Sequence, residues 1–296
     1  PNAQSVSAWG GEDDETAQYG VVKIAIKAAS GSTLTNITKQ SIVTQLKRYN
    51  VASVRPVIVD PEITKLLLTT NVKYDNKTTT KTSDTLKSAV LTTLTNYNNN
   101  TLTKFEGVFR FSKVTGLIDS TDSSILSNIT NLKIRKDFQP ALAASTKYNV
   151  FFRNALYNPH SGHNSAAGGV VSSTGFKISG DDTNEHFLDD DGAGNIRVYY
   201  LSGTTRIYTD STYGTIDYTN GEIILTSANV TSISNIDGAA SARIRITVSP
   251  DSNDIVPVRN QVLSIDTANS TISGSIDEIE SGSSQAGTGY TTTSSY

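Results

Sequence analysis

The sequence predicts an α+β fold in which the helices are confined to the first half of the chain. Apolar residues recur at helical spacing before residue 145, whereas from Tyr148 onward only short alternating stretches separated by turn residues occur. The charges divide the chain near the same point, because residues 1–160 contain 19 Lys and Arg against 12 Asp and Glu, while residues 161–296 contain 6 against 16. We therefore expect an α+β domain at 1–145, a β-rich domain at 146–280, and a flexible Ser-, Gly- and Thr-rich tail at 281–296.

The first domain begins with a predicted strand and helix. Residues 20–27 alternate as a strand with Val22, Ile24 and Ile26 on one face, which leaves Lys23, Ala25 and Lys27 on the other. A helix capped by Thr35 or Thr38 and stopped near Asn50 is then predicted by four apolar residues at helical spacing, namely Ile42, Val43, Leu46 and Tyr49.

Residues 54–75 predict a hairpin of two strands. Asp60 and Pro61 favour a turn, since Pro61 fixes its own φ and Asp60 favours turn initiation. The second strand alternates, and its predicted core side comprises Leu66, Leu68, Val72 and Tyr74. We expect this hairpin to form the middle of the sheet of the first domain.

Two more helices and a strand complete the first domain. A helix over Ser83–Tyr97 is predicted by one apolar stripe, formed by Leu86, Val90, Leu94 and Tyr97. A shorter helix is expected between Arg110 and Asp119, and a strand over 130–138. The order β-α-β-β-α-α-β lets the helices cover one face of a four-stranded sheet, which is the ferredoxin-like split βαβ arrangement.

The uncovered face of that predicted sheet would be basic. It would carry Lys23, Lys27, Lys65, Lys73, Lys133 and Arg135. An RNA-recognition sheet needs stacking aromatic side chains on its central strands, and the outward positions here hold Lys, Ala, Leu, Thr and Asn. Two interpretations remain, a solvated face and a docking face for an acidic protein surface such as the second half of this chain.

The second half predicts an antiparallel, sandwich-like module. Its strands are short and separated by turn residues, and Asn220-Gly221 is the strongest hairpin signal in the chain. The stretch containing His160 and His163 is expected to connect the two domains flexibly.

The residue types required for catalysis or metal binding do not form a recognisable motif. Cysteine is absent, and neither a phosphate-binding loop nor a G-x-S-x-G elbow is present. His160 and His163 form a spaced pair without an evident carboxylate partner, and Asp189-Asp190-Asp191-Gly192 fits a hairpin turn better than a calcium loop. We therefore predict no catalytic, cofactor-binding or metal-binding residues, although sequence alone does not test paired carboxylates.

The ends of the chain and its hydropathy add two expectations. No apolar run approaches the roughly 20 residues that a membrane-spanning helix requires. The chain begins at Pro1 and contains no methionine, so we expect it to be a fragment of a longer product.

Five stretches carry a resemblance to a known family. They are AWGGEDDE, YGVVKIAIK, VRPVIVDPEITKLLLTTNVKYD, YNNNTLTKFEGVFRFSKVTGLIDSTDSSILSNITNLKIRKDF and YNVFFRNALYNPHSG. As a set they resemble the C-terminal half of the baseplate wedge protein of T-even-type contractile-tailed phages, a family related to the baseplate J-like proteins. The similarity is dense over residues 1–160 and looser to about residue 280.

The resemblance implies a structural protein of the virion rather than an enzyme. It implies a homodimer that ties neighbouring wedges into a ring around the hub, contacts with other baseplate wedge proteins, and a ring that persists while the baseplate rearranges on infection. No cofactor, nucleic acid or membrane is implied, and the expected location is the tail baseplate after assembly in the host cytoplasm.

Aromatic and basic residues are the expected anchors of such contacts. The candidate interface residues are Trp9, Phe151, Phe152, Tyr157, Lys65 and Lys73. For the aromatic members of this set, a place in the ordinary core is the competing interpretation. The alternative function is a carbohydrate-binding or adhesive tail module, whose groove would use Tyr199, Tyr200, Tyr208 and Tyr213.

Overall fold

A computed structural model describes residues 3–14, 17–29, 33–49, 54–163 and 169–277, which group into two units. Unit 1 comprises the described residues of Pro1–Leu66, Thr101–Phe109 and Lys133–Ser264. Unit 2 comprises those of Leu67–Asn100, Arg110–Leu132 and Ile265–Tyr296. The division into domains at 1–145 and 146–280 stays a prediction, and Asn50 and the tail at 281–296 lie outside the described residues.

The described residues contain three α-helices, at the positions that the sequence predicts. Their bounds are α1 Asn36–Leu46, α2 Ser83–Tyr97 and α3 Phe111–Asp119. Thr35 caps α1, because its side chain accepts a hydrogen bond from the backbone N–H of Thr38. A short π-helical segment, Asn98–Leu102, follows α2 where the sequence predicts an end. The described chain has no helix long and apolar enough to cross a membrane.

Strands make up most of the regular structure of the described residues. In chain order they are β1 Ala3–Gly10, β2 Val21–Ala28, β3 Arg55–Val59, β4 Glu62–Tyr74, β5 Ile125–Phe138, β6 Thr146–Phe151, β7 Val171–Ser173, β8 Phe176–Ile178, β9 Asp181–Asp190, β10 Asn195–Ser202, β11 Thr205–Asp217, β12 Glu222–Ala228, β13 Val230–Ile233, β14 Ile244–Val248, β15 Gln261–Ile265 and β16 Thr271–Ile276.

These strands form three sheets. The first has the order β1-β2-β3, and the second is antiparallel with the order β13-β8-β9-β10-β11-β12-β6. The third has the order β15-β4-β5-β14-β7, with β16 pairing β4 in parallel register. The strands β4 and β5 are long and contribute residues to both units. The α+β, strand-rich class is therefore as predicted.

The ferredoxin-like sheet is not confirmed, because its four predicted strands are divided between two sheets. β2 and β3 pair in parallel across α1, with Val21 opposite Arg55, whereas β4 and β5 belong to the third sheet. The prediction of a hairpin at 54–75 is therefore wrong, since β3 and β4 flank the turn but do not pair with each other. Asp60 and Pro61 do interrupt the extended chain between β3 and β4. Such an interruption does not determine which strands β3 and β4 pair with.

The prediction of a single basic face is wrong for the same reason, because its residues lie in different sheets. Lys23 and Lys27 lie on β2 of the first sheet, while Lys65 lies on β4 in unit 1 and Lys73 on β4 in unit 2. Arg135 is buried and pairs through Nε with Asp137 Oδ1 at 2.8 Å. Alternation predicts which side chains share a face of one strand, but it does not place two strands in one sheet.

Unit 2 buries the apolar stripe predicted for α2 and two apolar residues of α3. Leu86, Val90, Leu94 and Tyr97 of α2 are buried, as are Val114 and Ile118 of α3. The predicted core side of β4 is confirmed too, with Leu66, Leu68 and Val72 fully buried and Tyr74 nearly so. By contrast, α1 of unit 1 buries none of its residues.

In unit 1, one face of β2 differs from the prediction. Ala25, expected on the polar face with two lysines, is fully buried in a cluster with Phe105 and Val262, against which Trp9 and Val59 pack. Small alanine is compatible with either environment, so alternation with lysines did not reveal this burial. The hairpin at Asn220-Gly221 is confirmed, because β11 and β12 pair with Asp217 opposite Glu222.

Candidate interface site

A cleft of about 420 Å³ in unit 1 brings together two of the predicted interface residues, Lys65 and Phe151. Its walls are the start of β4, the end of β5 and the end of β6. Its charged and aromatic lining includes Glu62, Lys65, Lys136, Phe138, Phe151 and Arg243. We call this the Phe151 cleft.

Only one of the two adjacent phenylalanines at the end of β6 reaches the cleft. Phe151 lines it and is half-buried, whereas the next residue, Phe152, is fully buried in the core of unit 1. The guanidinium of Arg153 lies 5.1 Å from the centre of the Phe151 ring, which is within the range of a cation–π contact. Phe138 adds a second aromatic wall, and its ring is 5.1 Å from that of Tyr148.

One carboxylate balances the most buried cation of the cleft. Lys136 Nζ donates to Glu62 Oε2 at 3.0 Å, and Arg153 Nη2 lies 3.7 Å from Glu62 Oε1. Burial lowers the pKa of Lys136, an effect that Glu62 opposes. Burial alone would raise the pKa of Glu62, but the charges of Lys136 and Arg153 hold it below its ordinary value. Glu62 is therefore ionised at neutral pH.

Two other cations of the cleft lack such a partner. Lys65 is half-buried and Arg243 is exposed, and within the described part of the chain neither side chain forms an ion pair. Asp137, which also lines the cleft, is engaged by Arg135. The cleft therefore combines an apolar aromatic wall with positive charge that no described carboxylate neutralises.

A second cleft of about 340 Å³ in unit 1 is lined by Trp9 and shares Glu62 with the first. Trp9 Nε1 donates to Asp14 Oδ1 at 3.0 Å, and Asp14 also pairs with Lys23. Burial works against ionisation of Asp14, yet the hydrogen bonds from Lys23 and Trp9 lower its pKa. The indole is therefore fixed at both ends, by this hydrogen bond and by packing on the Ala25 cluster.

The remaining predicted interface residues lie elsewhere. Tyr157 is 42% exposed, with its ring edge-on to that of His163 at 5.6 Å. Lys73 is half-buried on β4 in unit 2. The structure thus groups Lys65 with Phe151, places Trp9 at the neighbouring cleft, and leaves Phe152 in the core.

Sequence reasoning missed Arg243, Lys136 and Phe138. Arg243 reaches the cleft because β14 pairs with β5, with Ile244 opposite Phe138, although more than a hundred residues separate them. No local pattern indicates such a pairing. The only usable signal was the alternation of β5, which places Lys136 on the opposite face from its neighbours Arg135 and Asp137.

The histidines and aspartates considered for metal binding either form other hydrogen bonds or are not grouped with further ligand side chains. His163 Nδ1 and His160 Nε2 lie 3.0 Å apart on exposed side chains, and no carboxylate of the described residues is grouped with them as a metal ligand. Asp191 caps the β9–β10 turn by accepting from the backbone of Ala193 and Asn195. Among the described residues, no three His, Asp or Glu side chains are grouped as metal ligands.

Two of the four tyrosines of the carbohydrate hypothesis have a ring face covered by a guanidinium group. Arg206 lies 4.6 Å from the Tyr199 ring, and Arg197 lies 4.3 Å from the Tyr208 ring. Tyr200 packs edge-on against His186, and burial raises the pKa of Tyr213 to about 12. A sugar stacks on an exposed aromatic face, so the geometry does not favour this use.

Comparison with protein families gives two matches along the chain. Residues 1–59 match the model described as baseplate structural protein gp6, C-terminal domain I. Residues 66–137 match the model described as baseplate structural protein gp6, C-terminal domain III. A search of curated proteins finds no match. The two family matches support a structural protein of a phage baseplate, located in the virion tail.

Proposed function

We propose that the chain is a structural, non-enzymatic component of a phage baseplate wedge, related to the baseplate J-like proteins. It self-associates as a homodimer, ties neighbouring wedges into a ring around the hub, and remains joined while the baseplate rearranges on infection. It contacts other wedge proteins and binds neither nucleic acid nor membrane. Assembly takes place in the host cytoplasm. The observation that carries this proposal is the pair of consecutive matches to domains of one baseplate structural protein.

The geometry of unit 1 supports a role in protein contacts. The Phe151 cleft and the Trp9 cleft place aromatic side chains beside cations, and aromatic residues and arginine are the types enriched at protein interfaces. A stable contact between two proteins buries at least about 1,000 Å² in total, so each cleft would form part of a larger surface.

Localisation in assembled tails tests the proposed function. The chain is given an epitope tag in the phage that encodes it, and purified resting and contracted tails are labelled with a gold-conjugated antibody. We expect gold at the baseplate in both forms. Label that is missing from the baseplate of tails containing the tagged protein, or that is lost on contraction, would contradict the proposal.

A further inference from the structure

The edge of one strand, β6, borders the Phe151 cleft. Three consecutive residues of β6, Asn149, Val150 and Phe151, line it, as do Lys136 to Phe138 of β5. Successive side chains of a strand point to opposite faces, so a run of neighbours of a terminal strand that borders one cleft presents its edge there. β5 lies inside the third sheet, where β14 pairs with Lys136 and Phe138, and it contributes side chains only.

The edge of β6 is unpaired in the described part of the chain. β6 is the terminal strand of the seven-stranded sheet and pairs only with β12, for example Phe151 with Glu222 and Asn149 with Ile224. A terminal strand presents a row of backbone N–H and C=O groups that an extended peptide can pair with. The cleft thus offers main-chain hydrogen bonds as well as side chains.

The positive charge of the cleft favours a peptide that carries carboxylates. Lys136 is already matched by Glu62, but Lys65 and Arg243 have no ion-pair partner among the described residues. Carboxylates at two positions of a bound segment would supply partners, and an apolar residue between them would meet Phe151 and Phe138. A volume of about 420 Å³ suits a few side chains rather than a folded domain.

We propose that the Phe151 cleft binds an extended acidic segment of a different baseplate protein, which adds as a strand to the free edge of β6. Its carboxylates pair with Lys65 and Arg243, and its apolar residue packs on Phe151. This inference rests on the proposed baseplate function, for which it specifies one contact and the chemical class of the partner.

Binding of model peptides to the whole chain tests this. The probe is a fluorescein-labelled peptide in which Val alternates with Glu, compared by fluorescence anisotropy at low salt with the same peptide carrying Lys in place of Glu. We expect only the acidic peptide to bind, and we expect N-methylation of its alternate amides to abolish binding because it removes the pairing N–H groups. Equal binding of the acidic and basic peptides, or unchanged binding after N-methylation, would overturn the proposal.

Charge reversal in the protein provides the second measurement. Lys65→Glu with Arg243→Glu should weaken acidic-peptide binding at least about tenfold and permit binding of the basic peptide. The control is Lys104→Glu with Lys133→Glu, which changes the total charge equally at exposed positions outside the cleft and should leave binding unchanged. Equal loss in both double variants would contradict a site at the cleft.

Further results distinguish a failure of the peptide-binding inference from a failure of the proposed baseplate function. If the acidic peptide dissociates a homodimer of the chain, the cleft belongs to the self-contact and the inference is wrong, while the proposed function stands. If the peptides fail to bind but the tagged chain labels the baseplate, only the inference fails. Absence of the tagged chain from the baseplate would instead reject the proposed function, whatever the peptides do.

Discussion

At the scale of single residues, Asp189 of β9 joins side chains of the two next strands of its sheet, β10 and β11. The carboxylate is almost fully buried and accepts hydrogen bonds from Arg197 Nε at 2.9 Å, Arg206 Nη1 at 2.7 Å and Tyr208 OH at 2.9 Å. The two guanidinium groups also lie over tyrosine rings. One buried carboxylate therefore holds a layer of two arginines in place.

We predict that Asp189→Ala lowers the free energy of unfolding by about 3 kcal/mol, because it removes a buried carboxylate that accepts from Arg197, whose side chain is 11% exposed, and from the more exposed Arg206 and Tyr208. Urea denaturation followed by circular dichroism measures this. Asp237→Asn is the control, since Asp237 also pairs with an arginine, Arg245, but its side chain is 75% exposed, and Asn retains the tolerance for the left-handed backbone at this position, whose φ is +53°. That change should cost less than about 1 kcal/mol, and equal costs would contradict the role given to burial.

His186 of β9 makes the stability of the chain depend on pH. Its imidazole is fully buried, and the nearest carboxylate, Asp181, lies 3.5 Å from Nε2. Burial lowers the pKa of His186 below its ordinary value of 6.5, and Asp181 opposes this only in part. As the pH falls, the unfolded chain therefore binds the proton first.

We predict that the stability due to a neutral His186 is complete above about pH 6.5 and declines as the pH falls toward the lower folded-state pKa. The free energy of unfolding, measured between pH 7 and pH 5, should decrease in the native chain and decrease less in His186→Phe. His160→Gln, at an exposed position, should leave the slope unchanged. A slope that His186→Phe does not reduce would contradict this prediction.

Residue-scale features were the least accessible to sequence analysis. Adjacent Phe151 and Phe152 are chemically identical, and only the position of β6 in its sheet assigns one to the cleft and the other to the core. The pairing of Lys136 with Glu62 joins residues more than seventy positions apart. Such contacts depend on the tertiary fold rather than on any local pattern.

At the scale of elements, the β11–β12 hairpin depends on Gly221. Its φ is +64°, and a Cβ at this position would lie 2.1 Å from the backbone oxygen of Asn154. Gly203 in the β10–β11 turn has a similar φ of +62° but open space around it. Comparing alanine variants at the two glycines therefore distinguishes the cost of a left-handed backbone from the cost of steric overlap.

We predict that Gly203→Ala costs about 1 kcal/mol, the cost of a left-handed conformation for a residue with a side chain. Gly221→Ala should cost clearly more, because backbone must move to relieve the overlap with Asn154. Thermal unfolding of both variants provides the comparison. Equal losses would show that the hairpin accommodates a side chain at Gly221 without movement.

The helices α1 and α2 differ in burial, which gives a prediction about packing. Leu94 of α2 is 1% exposed, whereas α1 buries no residue, including Leu46. Leu94→Ala should therefore lower the free energy of unfolding by about 3 kcal/mol. Leu46→Ala should lower it by about 1 kcal/mol, since less apolar surface is lost from the interior. Similar losses in urea denaturation would contradict this assignment of burial.

Elements were predictable where periodicity and capping agreed. The bounds of α2 follow from its apolar stripe, and Asn220-Gly221 fixed a hairpin because its turn type is encoded locally. The 54–75 hairpin failed because Asp60 and Pro61 encode only an interruption. β3 instead pairs with β2 across α1, a partner that no residue of the turn specifies.

At the scale of the whole molecule, helical spacing in the first half and short strands in the second half indicated an α+β protein, whereas the distribution of strands among three sheets was not predicted. Sheet membership depends on pairings between distant segments, such as β14 with β5. The family matches cover residues 1–59 and 66–137 and support the baseplate role independently of any single site.

Self-association is the central claim of the proposed function, and sedimentation equilibrium of the purified chain at micromolar concentration tests it most directly. A contact that ties wedges together should bury at least about 1,000 Å² and hold two copies together in this concentration range. We predict a fitted mass of twice the chain's 31.7 kDa. A mass equal to that of one chain throughout the range would contradict the claim.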